Sequence, residues 1–191
     1  MKLFNELNEV NQARAIKATL ENEWYLDYEW YDFTTKDFKN ILEILGYYDI
    51  KSYFSGFYSQ GDGASFEARY SYEKQSVNKI IDYSPLDKEL HRIAKELFNI
   101  QNKLRYDLEA KITTGGNYYH EMTMRCECQS LRGFINEDTV QNKEEDMLDI
   151  SRDLAIWYYK QLNEQYNYLM SDEAVKEYII ANELKFCYAD N

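Results

Sequence analysis

Leu3, Leu7, Val10, Ala13, Ile16 and Leu20 recur at three- and four-residue steps, so the chain opens on an amphipathic helix. A second helix follows Thr34 or Thr35, either of which can cap it. That helix turns Phe38, Ile41, Leu42 and Leu45 inward and stops at Gly46. The period then changes to two, predicting strands over 52–58 and 64–71 with Gly61-Asp62-Gly63 between them. The glycines of that turn supply the positive-φ positions of a hairpin. Ser84-Pro85-Leu86-Asp87 marks a helix start, with serine as cap, proline in the first turn and Asp87 near the positive end of the dipole. Leu86, Leu90, Ile93, Ala94, Leu97 and Ile100 make its apolar stripe.

Alternation returns in Tyr106, Leu108, Ala110 and Ile112, set against Asp107, Glu109 and Lys111. This predicts a strand over 105–113, a turn at Gly115-Gly116 and a fourth strand over 118–128. From about Asp138 a long helix aligns Met147, Leu154, Trp157, Tyr158, Gln161, Leu162, Gln165, Tyr166 and Leu169 on one side. Ser171 or Asp172 caps a last helix carrying Ala174, Val175, Tyr178, Ile179 and Ala181. The fold class is therefore α+β: a four-stranded antiparallel sheet from two hairpins, covered by about five helices, in one domain spanning 1–191. No Pro-, Gly- or Ser-rich linker and no repeat divides it.

The 191 residues suffice for a buried core, and an aromatic fraction of 16% argues against disorder. Tyrosine is in excess, at 19 copies, which suits half-buried sheets and binding surfaces alike. A net charge of −12 and a pI near 4.7 disfavour direct contact with nucleic acid or anionic membranes, and favour a partner with a basic surface. Cys126, Cys128 and Cys187 form an odd set without a disulfide framework. No stretch is apolar enough to span a bilayer, and the N-terminus has no secretory core, which together predict a cytoplasmic protein.

Candidate chemistry is sparse. His120, Met122, Met124, Cys126 and Cys128 share parity on the fourth predicted strand, and His91 could complete a zinc set. Structural zinc sites favour Cys-x-x-Cys, however, and no second cysteine pair exists, so no metal and no cofactor is expected. Ser59 lacks the flanking glycine of a nucleophile elbow and precedes a strand. Gly61-Asp62-Gly63 lacks the Lys-Ser/Thr of a phosphate loop, and Asp62 would repel a phosphate. No catalytic residue is assigned.

The run Tyr53-Phe54-Ser55-Gly56-Phe57-Tyr58-Ser59-Gln60-Gly61-Asp62-Gly63-Ala64-Ser65-Phe66 holds three of the seven glycines. It resembles a signature found in a family of small, mostly uncharacterised proteins of tailed bacteriophages and other bacterial mobile elements. Asp27–Phe33, Asp37–Gly46, Asp87–Ala94, Tyr118-Tyr119-His120 and Tyr168–Ala174 are similar to further landmarks of that family. Glu67-Ala68-Arg69 departs from it, since a small or glycine-containing step is expected there. The resemblance implies a phage accessory protein in the host cytoplasm and carries over no catalytic residue.

Two surfaces follow from these residues. One is the signature loop itself, Ser59, Gln60, Gly61, Asp62 and Gly63. The other is the acidic-aromatic run 23–33, in which Trp24, Asp27, Glu29, Trp30 and Asp32 combine carboxylates with hot-spot anchors. Its alternative is structural, with Trp24, Trp30 and Phe33 packed inward and only the carboxylates solvated. A second acidic tract, Glu137-Asp138 to Asp149, reads as helix N-termini plus a solvated face. The expected function is binding of a basic host protein, as an inhibitor of a defence or nucleic-acid-processing system in the manner of anti-CRISPR or anti-restriction proteins. The alternatives are an enzyme with a carboxylate site near the signature hairpin, or a toxin-neutralising partner.

Overall fold

The computed structural model describes residues 1–22, 25–26, 29–116 and 118–188. In chain order come β1 (Lys2–Leu3), a 3-10 turn (Phe4–Glu6), α1 (Glu9–Leu20), α2 (Asp32–Leu45), β2 (Tyr47–Phe54) and β3 (Ala64–Tyr70). Then follow α3 (Ser76–Tyr83), α4 (Lys88–Lys103), β4 (Leu108–Thr114), a second 3-10 turn (Glu121–Thr123) and β5 (Met124–Ser130). The chain continues with α5 (Glu137–Gln141), α6 (Glu144–Leu169), α7 (Asp172–Ala181) and β6 (Lys185–Phe186). The fold is α+β, as the periodicity requires. Two compact units contain these elements: residues 33–161, and residues up to 32 together with those from 162 onward.

In the first unit the sheet order is β2-β3-β4-β5, antiparallel throughout. Alternation sends Ala64, Phe66, Ala68 and Tyr70 of β3 and Leu108, Ala110 and Ile112 of β4 to one buried face. α2 and α6 cover that face. Phe38 meets Phe66 edge-on at 5.7 Å and stacks on Tyr158 at 4.2 Å, and the Tyr47 hydroxyl lies 3.3 Å from Ser151 Oγ. Phe38, Ile41, Leu42 and Leu45 are all buried, and Gly46 ends the helix at φ 103°, where an added Cβ would lie 2.2 Å from the Ser71 carbonyl.

Several boundaries differ from the sequence pattern, each for a local reason. α2 starts at Asp32, whose carboxylate favours the first turn, so Thr35 is interior and its hydroxyl sits 2.8 Å from that of Tyr158. β2 begins directly after Gly46, where a register shift between Tyr48 and Lys51, with Asp49 at φ 55°, breaks the alternation, and it ends at Phe54, where the Ser55–Gly63 hydrogen bonds close the loop. Asp87, not Ser84, caps α4, accepting from the N–H groups of Glu89 and Leu90; Ser84 closes α3 and Leu86 is exposed. Arg105 and Tyr106 adopt left-handed backbone conformations, which postpones β4 to Leu108. β5 starts at Met124, since residues 121–123 form a 3-10 turn capped by the His120 side chain.

In the second unit β1 pairs with β6, and Phe4, Leu7, Ala15, Val175 and Ile179 form the core. Asn11, Ala15 and Thr19 are the buried positions of α1, while Val10 is exposed, so the helix is rotated from its predicted face. A face of small residues lets the backbone approach its neighbours closely, and Ile16 and Leu20 pack from its flank.

Candidate binding site at the signature loop

Residues 55–63 join β2 to β3 as an ordered loop rather than a two-residue turn. Ser55 N–H donates to the Gly63 carbonyl at 3.0 Å, and Gly63 N–H donates to Ser55 Oγ at 3.2 Å. Within the loop Asp62 Oδ2 accepts from Tyr58 N–H at 2.9 Å and Ser59 N–H at 2.7 Å, while Asp62 N–H donates to the Ser59 carbonyl. The carboxylate thus does the work of a main-chain acceptor and fixes the tip. Gly61 has φ 92° as expected. Gly63 does not; it is required instead by a close approach, since a Cβ there would lie 2.8 Å from His120 Cδ2 and 3.2 Å from His120 Cα. Gln60 is exposed.

The segment 118–123 and α6 supply the surroundings. Tyr118 packs over Gly61, where a Cβ would be 3.7 Å from its ring, and Tyr119 stacks on Tyr53 at 4.9 Å. Thr123 Oγ1 donates to the carbonyls of Tyr118 and His120, holding this segment in its turn. The Tyr159 hydroxyl donates to the Gly56 carbonyl at 3.0 Å, and its ring lies 5.4 Å from Phe57. Burial, with the carboxylates of Asp62 and Glu121, pushes the Tyr159 hydroxyl above its usual range and keeps it a neutral donor. On the outer side Tyr58 is 79% exposed, Tyr118 65% and Met122 66%. The result is an aromatic surface on a hydrogen-bonded, glycine-constrained backbone. Periodicity placed Tyr118 to Thr123 in a strand because His120 and Met122 share the parity of Met124; the exposed Met122 shows that they are not part of it.

The candidate acid–base groups near the loop are held by local contacts. Asp62 and Ser55 are spent on loop closure. Met122 N–H donates to His120 Nδ1 at 3.2 Å, with Glu121 Oε2 3.1 Å from the same nitrogen, and His91 Nε2 lies 2.8 Å from the Ser84 carbonyl. Among the described residues neither imidazole bonds a serine or cysteine side chain, and no group of three or more His, Cys, Asp and Glu is placed to hold a metal ion. Cys126 and Cys128 lie side by side on β5 with sulfurs 3.7 Å apart. The neighbouring Cys128 thiol and burial push the Cys126 thiol upward, leaving it protonated.

Of the 23–33 run, Trp24 and Asp27 lie outside the described residues. Glu29 is exposed and Asp32 stands in the first turn of α2. Trp30 is half-buried against Tyr166 at 5.6 Å, with its carbonyl accepting from Gln165 Nε2 at 2.8 Å. Tyr25 meets Tyr178 edge-on at 5.0 Å and its hydroxyl donates to the Leu169 carbonyl. The described aromatics at 25 and 30 therefore take part in packing, whereas Phe33 is 79% exposed. The acidic tract behaves as helix N-termini, with Glu137 and Asp138 opening α5 and Glu144 to Asp146 opening α6.

One residue gave no signal in the pattern. Asp107, placed by alternation on the solvent side of a strand, has no exposed side-chain surface. Its carboxylate accepts from Ser130 Oγ, from Arg132 N–H at 2.8 Å, from Arg132 Nε at 3.2 Å and from Phe134 N–H at 3.1 Å. Arg132 also reaches the carbonyls of Arg105 and Tyr106. Burial pushes the carboxyl pKa up, but these four donors outweigh it and hold the group below the ordinary carboxylate range.

The four-stranded sheet and the signature loop fall within one family segment. A family model described as a domain of unknown function, DUF8835, matches residues 30–172, and the chain belongs to that family. No curated protein and no solved structure matches the chain.

Proposed function

We propose that the chain is a non-catalytic binding protein whose contact surface is the aromatic side of the signature loop, led by Tyr58 and Tyr118. The observation that carries this reading is the exposure of both rings on a backbone already fixed by Asp62, Gly61 and the His120–Gly63 contact. Rigid aromatic side chains lose little entropy on binding and supply most of the energy of small interfaces. The net charge of −12 favours a basic protein partner, with Glu29 and Asp32 adding to its electrostatic attraction. Taken with the resemblance to phage proteins, this supports an accessory role in the host cytoplasm, inhibiting a defence or nucleic-acid-processing protein by occupying its basic surface. The membrane has no part in the proposal, and no helix among the described residues is long and apolar enough to cross one.

The test is capture of partners from host extract on the immobilised chain, followed by binding kinetics with the captured protein. Tyr58→Ala and Tyr118→Ala should each raise the dissociation rate and cost about 2–4 kcal/mol of binding, in variants that thermal unfolding shows to be folded. Equal binding by both variants would remove this surface from the account.

A further inference from the structure

A groove of about 500 Å³ lies between the segment leading into α3 and the side of α4, away from the signature loop in sequence and independent of the protein-binding reading. Tyr72, Lys74, Gln75, Ser76, Val77 and Asn78 form one wall, and Lys95, Phe98 and Asn99 the other. No carboxylate lines it, in a chain with 34 acidic and 22 basic residues. Four other grooves among the described residues each contain acidic side chains. The adjacent carboxylate, Glu73, is engaged by Lys79 at 2.5 Å. Lys74 and Lys95 have no ion-pair partner among the described residues.

The floor of the groove adds donors. Gln75, at φ 63°, precedes α3 and offers no side-chain cap, so the N–H groups of Val77 and Asn78 in the first turn have no intrahelical acceptor. Ser76 lines the groove at 5% exposure, and its hydroxyl makes no hydrogen bond among the described residues. Two unpaired ammonium groups, two helix N–H groups and a hydroxyl suit a doubly charged oxyanion. Tyr72, packed on Tyr106 at 4.4 Å, and the partly exposed Phe98 give a flat apolar wall beside them. The amides of Gln75, Asn78 and Asn99 can bond ring heteroatoms.

We propose that this groove binds a phosphorylated heteroaromatic molecule of nucleoside monophosphate size, with its phosphate between Lys74, Lys95 and the start of α3, and its ring against Phe98 and Tyr72. The volume matches ordinary small-molecule sites. The two parts of the ligand are expected to contribute separately.

Titration calorimetry of the full chain with AMP, GMP, CMP and UMP tests this, with inorganic phosphate and the free nucleosides as partial ligands. At least one monophosphate should bind more tightly than either of its parts. Lys74→Gln with Lys95→Gln should weaken it about tenfold or more and flatten its salt dependence; Phe98→Ala should weaken the nucleotide but leave phosphate unchanged. Unfolding midpoints confirm that each variant is folded. As a control at another groove, Lys103→Gln should leave binding unchanged. Absence of binding by all four nucleotides at millimolar concentration overturns the proposal, as does binding that survives the double lysine substitution. Neither result bears on the partner surface at Tyr58 and Tyr118.

Discussion

His120 occupies the space that a side chain at position 63 would need: a Cβ there would lie 2.8 Å from Cδ2 of the imidazole and 3.2 Å from the His120 backbone. The turn that displays Tyr118 is thus locked against the loop that displays Tyr58. Gly63→Ala should destabilise by about 1–3 kcal/mol through overpacking, and Gly61→Val by a similar amount through its positive φ. His120→Ala should relieve part of the Gly63→Ala cost, with a coupling of about 0.5 kcal/mol or more in a double-mutant cycle measured by urea unfolding. Strict additivity would contradict the contact.

Asp107 predicts an acid sensitivity. Its folded pKa is depressed, so its stabilising contribution is present above the unfolded value near 3.9 and is lost as pH falls through the folded one. Asp107→Asn should lower the unfolding midpoint at pH 7, because Arg132 and the N–H groups of 132 and 134 lose a charged acceptor. The same substitution should flatten the fall in stability between about pH 5 and pH 2. Thermal unfolding across that range checks both statements.

At the alkaline end Tyr47 and Tyr70 govern. Burial pushes both hydroxyls far above their ordinary range, opposed at Tyr47 by its contact with the Ser151 hydroxyl. Above an unfolded pKa near 10 the unfolded chain releases these protons and the folded one keeps them, so stability falls by about 1 kcal/mol per pH unit for each tyrosine. Tyr47→Phe should reduce the fall in stability by about 1 kcal/mol per pH unit in chemical unfolding between pH 10 and 11, at the cost of its contact with Ser151.

In the 23–33 run the two kinds of side chain should separate in experiment. Trp30→Ala removes packing on Tyr166 and should cost about 2–4 kcal/mol of stability. Glu29→Lys should slow partner association and weaken its salt dependence. Thermal unfolding and association kinetics at two ionic strengths distinguish these effects.

The sequence pattern revealed the fold where burial follows a simple period. Phe38, Ile41, Leu42 and Leu45 with Gly46, and Ala64 to Tyr70, could be placed directly because one face of α2 is buried and Ala64, Phe66, Ala68 and Tyr70 alternate onto the core face of β3. α3 was missed, being eight residues long with only Ile80 as a fully buried apolar anchor. The α1 face was misplaced because its contacts are made by Asn11, Ala15 and Thr19, which carry little hydrophobic signal. At the site the glycines and Asp62 were visible as loop formers, but the partners Tyr118, His120 and Tyr159 come from distant positions that no local period connects. Asp107 was hidden for the same reason: its donors are 23 to 27 residues away.

The most direct test of the central claim is dissociation kinetics of the captured partner from the chain carrying Tyr58→Ala and Tyr118→Ala together, against the parent and against Phe134→Ala, an exposed aromatic outside the signature loop. The account predicts a dissociation rate raised about a hundredfold or more for the paired tyrosine variant, shown to be folded by thermal unfolding, and no change for Phe134→Ala. A folded tyrosine variant that releases the partner at the parent's rate would contradict it.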